Sequence, residues 1–328
     1  MRRSRSPSAI ERFAGFGYRR DPPAPVNRLA TISRVETIRR DFRREGFSES
    51  LVNLLLAGNR STTHSTYESA WRNWVHWCGG WNENSLSVPL IFVLEYLSKL
   101  HRDGKSYSLI NIHRSMLSKT LPTVDGHPVG VHPLVKNLLN GCYNLNPPKP
   151  KYNCAWDPSV VIDYFSMLGN NSSLSLSSLT KKSVILLALA SLLRVSELAA
   201  IDFHSVIFSA HGVKFTLLKP RKAQHGGPLQ SFSIPFLSEA NCRPVQALKA
   251  YVDRTVSIRQ TNIKQLFVST IAPHSGVTGN TISRWIRSAL DASGVDTSVF
   301  KAHSTRRAAA SKASALGISV DEILKAGH

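Results

Sequence analysis

Two short motifs, more than a hundred residues apart, carry side chains that can bind and activate a phosphate. His303 and Arg306 form an H-x-x-R motif whose two side chains share one face of a helical turn. Arg194 and Glu197 form an R-x-x-E motif directly after a long apolar run. The two motifs predict a pair of guanidinium groups that converge on one anionic group from distant segments.

Attack on a phosphodiester builds negative charge on the non-bridging oxygens of a five-coordinate phosphorus. Preorganised arginines stabilise that charge with bidentate geometry, and a lysine or histidine can move the proton. The basic run 219–222, Lys-Pro-Arg-Lys, adds two lysines to the residues that could take part in this chemistry. Each feature alone also has an ordinary interpretation: a structural ion pair for Arg194, a helix cap for His303, and a solvated turn for the basic run.

The elements that position these residues fall into two groups. Residues 61–145 read as helices, and the aromatic spacing of Tyr67, Trp71, Trp74 and Trp77 is more typical of a core than of a base-stacking platform. Residues 155–328 predict further helices, among them one continuous helix over 179–198. They also predict a hairpin made of strands 213–218 and 229–235. The fold class is therefore mainly α with a small antiparallel β-sheet.

Two segments lack the pattern of regular structure. Residues 1–45 are basic, begin with an Arg/Ser-rich stretch and contain a proline cluster, which predicts a disordered N-terminal segment. Residues 146–154 are rich in proline and lysine and predict a stiff linker between the two helical groups.

Composition narrows the class of partner. The chain has 328 residues and a formal net charge of +20, which favours nucleic acid first and an anionic membrane surface second, with a solvated basic surface as the plain alternative. The four cysteines are scattered without a C-x-x-C pair, which argues against a zinc site or a disulfide framework. The apolar run 184–193 is too short to cross a bilayer, and no secretory signal follows the basic N-terminus. We expect an intracellular protein that binds no membrane and no metal, nuclear if the source is eukaryotic.

The order of the motifs resembles the tyrosine recombinase (phage integrase) family. An R-x-x-E box, a lysine-bearing β-hairpin and an H-x-x-R box follow one another, and the tail 316–327 resembles the turn and short helix before the family's last boxes. The resemblance implies a helical core-binding domain over 61–145 and a catalytic domain over 155–328, incomplete at its C-terminus.

The resemblance also implies roles for individual residues. Arg194 and Arg306 would grip the scissile phosphate, Glu197 would hold the Arg194 box in place, and His303 would assist proton transfer. The partner would be double-stranded DNA, with a homo-tetramer on two DNA sites. The reaction would be site-specific DNA recombination and integration, as in mobile elements. It would need no metal and no cofactor, because a phosphotyrosine bond conserves the energy of the broken phosphodiester.

Two of the family's positions stay open in this chain. The hairpin lysine that protonates the leaving 5′-oxygen is Lys222 or Lys219, and we favour Lys222. His328 lies one position short of the family's His/Trp box and fills that role only with a shift of one residue. The family's nucleophilic tyrosine would come about nine residues later, and the last tyrosine here is Tyr251. We therefore expect the chain to hold a phosphate without cutting beside it.

Three interpretations of the chain remain. The chain is either a recombinase sequence that lacks its nucleophile or a catalytically inactive, DNA-binding remnant of a mobile-element recombinase. A basic helical RNA-binding or scaffold protein with chance motif matches is the third interpretation.

Overall fold

The structure is a computed structural model that describes residues 33–81, 83–150, 152, 154–222, 224, 226–236 and 243–327. The chain divides into two compact units, residues 1–150 and 151–328. Helices dominate both units, and the second unit adds a small antiparallel sheet, so the predicted fold class is confirmed. None of the described helices is long and apolar enough to cross a membrane.

The described part of the first unit contains six α-helices, joined by loops and one short 3-10 turn. Their bounds are α1 Arg34–Arg44, α2 Glu49–Ala57, α3 Ser61–Gly80, α4 Leu90–Arg102, α5 Tyr107–Ser118 and α6 Pro133–Leu145. Serine side chains cap two of them: Ser48 accepts from the amide of Leu51 at α2, and Ser106 accepts from the amide of Leu109 at α5.

The aromatic stripe of α3 forms the centre of this unit's core. Trp71, Trp74 and Trp77 are 2%, 0% and 7% exposed. The ring of Trp74 stacks on Trp77 at 5.6 Å and meets the edge of Tyr96 at 5.0 Å. The sequence prediction of a core, rather than a base-stacking platform, is confirmed for these three tryptophans.

Helix α1 corrects the prediction of disorder over residues 1–45 for the part that the structure describes. Arg34 is 1% exposed: its Nε donates to Thr120 Oγ1 at 2.6 Å, and its guanidinium lies 5.0 Å from the Tyr67 ring centroid. The backbone amide of Arg34 donates to the carboxylate of Glu68. Burial of the arginine stem and these long-range bonds order a segment whose composition alone indicated a solvated tail. Residues 1–32 lie outside the described part.

Acid should weaken this unit through one buried histidine. His113 Nδ1 lies 2.9 Å from Tyr96 Oη, and burial lowers the pKa of His113 to about 4. The unfolded chain, with a histidine pKa of about 6.5, takes up the proton first. Stability should therefore fall as the pH drops below about 6.5 and level off near 4, by on the order of 3 kcal/mol. Chemical denaturation at several pH values, compared with His113→Gln, measures this slope, and identical slopes in both proteins would contradict it.

The second unit places its helices around one long, largely buried helix. The helices are α7 Pro158–Met167, α8 Leu176–Ser191, α9 Val195–Leu198, α10 Pro244–Thr255, α11 Gly279–Ala292, α12 Ser304–Ala315 and α13 Val320–Gly327. Helix α8 carries Val184, Ile185, Leu187 and Ala188, each at most 1% exposed, which explains why its apolar residues do not keep to one stripe.

Three strands form the sheet of the second unit in the order β1-β2-β3: β1 Ile207–Ser209, β2 Gly212–Thr216 and β3 Ser231–Pro235. Both pairings are antiparallel, with Val213 opposite Ile234 and Phe215 opposite Phe232. The predicted hairpin is β2-β3. Strand β1 is an addition that the sequence analysis missed, because three residues are too few to show an alternating pattern.

Candidate functional site

The end of helix α8 positions Arg194. Helix α8 ends at Ser191, and Leu192 adopts a left-handed conformation with φ of 53°. Ser191 Oγ donates to the carbonyl of Leu187 at 2.6 Å and accepts the amide of Leu193 at 3.3 Å, so it satisfies backbone groups at the break. The prediction of one continuous helix over 179–198 is therefore wrong. A left-handed residue other than glycine is uncommon, and such residues often lie at functional sites.

Glu197 fixes the short helix α9 to the residue that precedes it. Its carboxylate accepts the backbone amide of Arg194 at 2.8 Å and Arg194 Nη1 at 3.0 Å. Helix α11 approaches this segment closely at Gly279, where a Cβ atom would lie 3.3 Å from the Cα of Ser196. The backbone around Arg194 is thus held both by a carboxylate and by close packing of a neighbouring helix.

Arg221 joins this cluster from the loop between β2 and β3. Its Nε donates to Glu197 Oε1 at 3.2 Å and its Nη2 donates to Oε2 at 3.4 Å. Its guanidinium carbon lies 5.2 Å from the Phe232 ring centroid, and Nη1 donates to Gln230 at 3.2 Å. Sequence reasoning counted Arg221 only as part of a basic turn. Nothing in its local pattern distinguishes it from the lysines beside it.

Arg306 completes the cluster from helix α12. It interacts electrostatically with Arg194, Glu197 and Arg221, so the structure brings the two predicted arginines into one site. Burial, followed by repulsion from Arg194 and Arg221, lowers the pKa of Arg306, while Glu197 opposes the shift. An arginine remains protonated under such conditions. Two guanidinium groups thus hydrogen-bond Glu197 and a third, that of Arg306, interacts with it electrostatically, which leaves the cluster strongly positive.

The carboxylate at the centre stays ionised. Burial raises the pKa of Glu197, but hydrogen bonds from the Arg194 amide and from the guanidiniums of Arg221 and Arg194 outweigh burial and hold the pKa below its usual range. The Glu197 side chain is 6% exposed, whereas that of Arg194 is 32% exposed. The cluster therefore presents positive charge outward and keeps its negative charge inside.

Helix α12 is fastened to the segment that leads into the second unit. Trp156 Nε1 donates to Ser304 Oγ at 2.8 Å, and Arg307 Nη1 donates to the carbonyl of Tyr152 at 2.9 Å. Farther along the helix, Lys312 pairs with Asp157 at 3.1 Å. The first two contacts fix the first turn of α12, on which Arg306 lies.

The remaining predicted site residues lie in exposed positions or outside the described part. His303 is exposed at the residue before α12, three positions from Arg306. Lys219 and Lys222 are both exposed on the loop on either side of the buried Arg221, so burial does not decide between them. His328 lies outside the described residues. No group of three metal-ligating side chains occurs in the part of the chain that the structure describes.

The part of the chain that carries these motifs matches a known family, the phage integrase family. The family matches residues 165–328, half of the chain, and this stretch includes the R-x-x-E box, the hairpin and the H-x-x-R box. The chain belongs to the phage integrase family, and the resemblance to tyrosine recombinases is confirmed. None of the curated proteins matches it.

Solved structures of two integrases share the fold. The Tn1549 transposon integrase bound to transposon right-end DNA has a TM-score of 0.55 at 14% identity, covering 90% of this chain and 91% of the integrase chain. Lambda integrase bound to DNA has a TM-score of 0.50 at 14% identity, with the same coverage of both chains. At this identity the likeness shows that the fold is common to them.

Proposed function

We propose that this protein binds double-stranded DNA and that its arginine cluster holds one backbone phosphate for site-specific recombination. The observation that carries the proposal is the arrangement around Glu197, where Arg194 and Arg306 come together from motifs more than a hundred residues apart. Membership of the phage integrase family supports the reaction class.

The electrostatics of the cluster suit a phosphodiester. Its guanidiniums are charged at every accessible pH and are held in place before a ligand arrives, so binding and transition-state stabilisation cost little reorganisation. Arg194 and Arg306 are only partly buried, so both side chains keep part of their surface in contact with solvent. In this proposal His303 moves the proton of the nucleophile, and Lys222, with Lys219 as the alternative, protonates the leaving oxygen.

Strand cleavage needs a nucleophilic hydroxyl as well as the arginines. Tyr251, the last tyrosine of the sequence, is fully buried, and its hydroxyl accepts the amide of Val268 at 2.9 Å. Burial raises the pKa of Tyr251 to about 12, so it is a core residue and no candidate nucleophile. The proposal is therefore phosphate binding in a recombinase site, in which Tyr251 is not the nucleophile of strand cleavage. The assembly of four copies on two duplexes is part of the same proposal.

Removal of Arg306 should lower both the affinity for duplex DNA and the salt dependence of binding. Because one phosphate contact is lost, the slope of log K against log salt should become shallower by about 0.9 in Arg306→Ala. Loss of a charge-assisted hydrogen bond of about 1.5 kcal/mol corresponds to roughly tenfold in affinity. Fluorescence anisotropy with labelled duplex DNA over a range of salt concentrations measures both quantities, and Arg194→Ala should behave in the same way.

Arg287→Ala is the matched control, since it removes one positive charge from an exposed position on α11. Equal losses for Arg287→Ala and Arg306→Ala would mean that the cluster is only part of a diffuse basic surface. The same titration with duplex RNA tests the class of nucleic acid. Binding to RNA alone, or to neither polymer, would contradict the proposed function.

A further inference from the structure

The loop between β2 and β3 turns one of its basic side chains inward. Arg221 is 2% exposed, whereas Lys219 and Lys222 on either side of it are exposed. A fully desolvated guanidinium in an otherwise solvated basic loop is costly unless its charge and its N–H groups are matched. Its partners therefore indicate what the residue does.

Those partners tie the loop to the Arg194 segment at two points. The guanidinium of Arg221 makes two hydrogen bonds to the carboxylate of Glu197, and the amide of Leu218 donates to the carbonyl of Ala200 at 2.7 Å. The first bond pair holds the loop at Arg221 against α9, and the second bond holds the start of the loop just beyond α9. The position of Lys222 is thereby coupled to that of Arg194.

Each oxygen of the Glu197 carboxylate accepts hydrogen bonds from both Arg194 and Arg221. Glu197 Oε1 accepts from Arg194 Nη1 and from Arg221 Nε, while Oε2 accepts from the Arg194 amide and from Arg221 Nη2. Arg221 thus makes as many bonds to the carboxylate as Arg194 does, although it is sealed from solvent. Of the two arginines, Arg194 is the one that remains exposed enough to meet a ligand.

We infer that Arg221 is a positioning residue of the phosphate site. It neutralises Glu197 from the buried side, which keeps the charge of Arg194 available for a DNA phosphate, and it fixes the lysine-bearing loop beside that phosphate. Its own guanidinium does not contact the DNA. This inference rests on the proposed function, because it assigns Arg194 to the phosphate.

The test compares duplex binding by Arg221→Met with binding by the double variant Arg221→Met/Glu197→Gln. In Arg221→Met, Glu197 retains only Arg194 as a hydrogen-bond partner and draws it inward, so we expect an affinity loss comparable with that of Arg194→Ala. In the double variant no unpaired carboxylate remains, so most of the affinity should return. Fluorescence anisotropy on folded protein, checked by circular dichroism, provides the measurement.

A pH titration separates this role from a purely structural one. Without Arg221, Glu197 is a buried carboxylate with one hydrogen-bonded partner residue, and lowering the pH from about 7.5 to about 5 should protonate it and release Arg194. The ratio of Arg221→Met affinity to wild-type affinity should therefore rise as the pH falls. Measuring a ratio cancels the general gain that histidine protonation gives to both proteins.

Several outcomes would overturn the inference. If Arg221 contacts DNA directly, the double variant will bind no better than Arg221→Met. If Arg221 only stabilises the fold, Arg221→Met will show no recovery at low pH. Arg221→Gln, which keeps a hydrogen-bond donor without a charge, gives the same readouts if Arg221→Met does not fold. Normal binding by Arg194→Ala and Arg306→Ala would defeat the proposed function itself, whereas weakened binding by those two with normal binding by Arg221→Met would defeat only this inference.

Discussion

Replacement of Trp74 by alanine is expected to lower the free energy of unfolding of the first unit by about 3–5 kcal/mol. Trp74 is fully buried, stacks on Trp77, and packs against the edge of Tyr96. Its indole Nε1 also donates to the carbonyl of Ser85 at 2.8 Å, so truncation leaves both a large cavity and an unpaired carbonyl. Chemical denaturation followed by circular dichroism measures the change.

Leu54→Ala is the control for this prediction. Leu54 lies on α2 with 72% of its surface exposed, so its truncation should change stability by less than about 0.5 kcal/mol. The assignment of Trp74 to the hydrophobic core would be wrong if Trp74→Ala barely affects stability but abolishes DNA binding. In that case the aromatic stripe would be a surface for bases rather than a core.

The tryptophan stripe shows why much of the fold could be predicted from the sequence. The spacing of Trp71, Trp74 and Trp77 reports which side of a helix is buried, and that information is local. The same reasoning applies to the prolines and serines at the starts of helices, such as Pro133, Pro158 and Ser106. Local patterns of this kind were sufficient for the fold class and for most of the helices.

Features that depend on distant contacts could not be predicted in this way. The run of apolar residues before Arg194 reads as one helix, and only the structure shows the left-handed turn at Leu192 that redirects the chain. Helix α1 depends on Arg34, which is buried by residues more than thirty and more than eighty positions away. Composition describes neither kind of contact, because both are made only when the chain has folded.

Some residues of the candidate site could also be selected from local motifs, whereas others depend on distant contacts. The motif order selected Arg194, Glu197 and Arg306 as candidates, and the structure shows that these three interact; their roles stay a prediction. Arg221 was missed because its burial follows from the shape of the loop and from the aromatic ring of Phe232, not from its sequence neighbours. The choice between Lys219 and Lys222 stays a prediction, since both lie exposed on that loop.

Replacement of Glu197 by alanine should be the most damaging single change within the second unit's polar cluster, with a loss of about 3–5 kcal/mol of stability. The reason is that Arg221, 2% exposed, loses the carboxylate that compensates its charge, and the amide of Arg194 loses its acceptor. The lowered pKa of Glu197 indicates that the ionised form makes these bonds. Stability from this group should therefore be present above the usual glutamate range and decline as the pH falls below it. Denaturation of the wild type and of Glu197→Ala at neutral and acidic pH measures both effects.

Glu49 supplies a control from the same chain. Its carboxylate also pairs with two arginines, Arg39 and Arg43, but its side chain is 50% exposed. Water screens those pairs and can solvate the arginines when the carboxylate is removed, so Glu49→Ala should change stability little. The contrast between Glu197 and Glu49 isolates burial as the cause, because each carboxylate is bonded directly to two guanidinium groups. Equal losses for both variants would mean that the Arg194 cluster is solvated in solution, and a solvated cluster would also lack the preorganised charge on which phosphate binding depends.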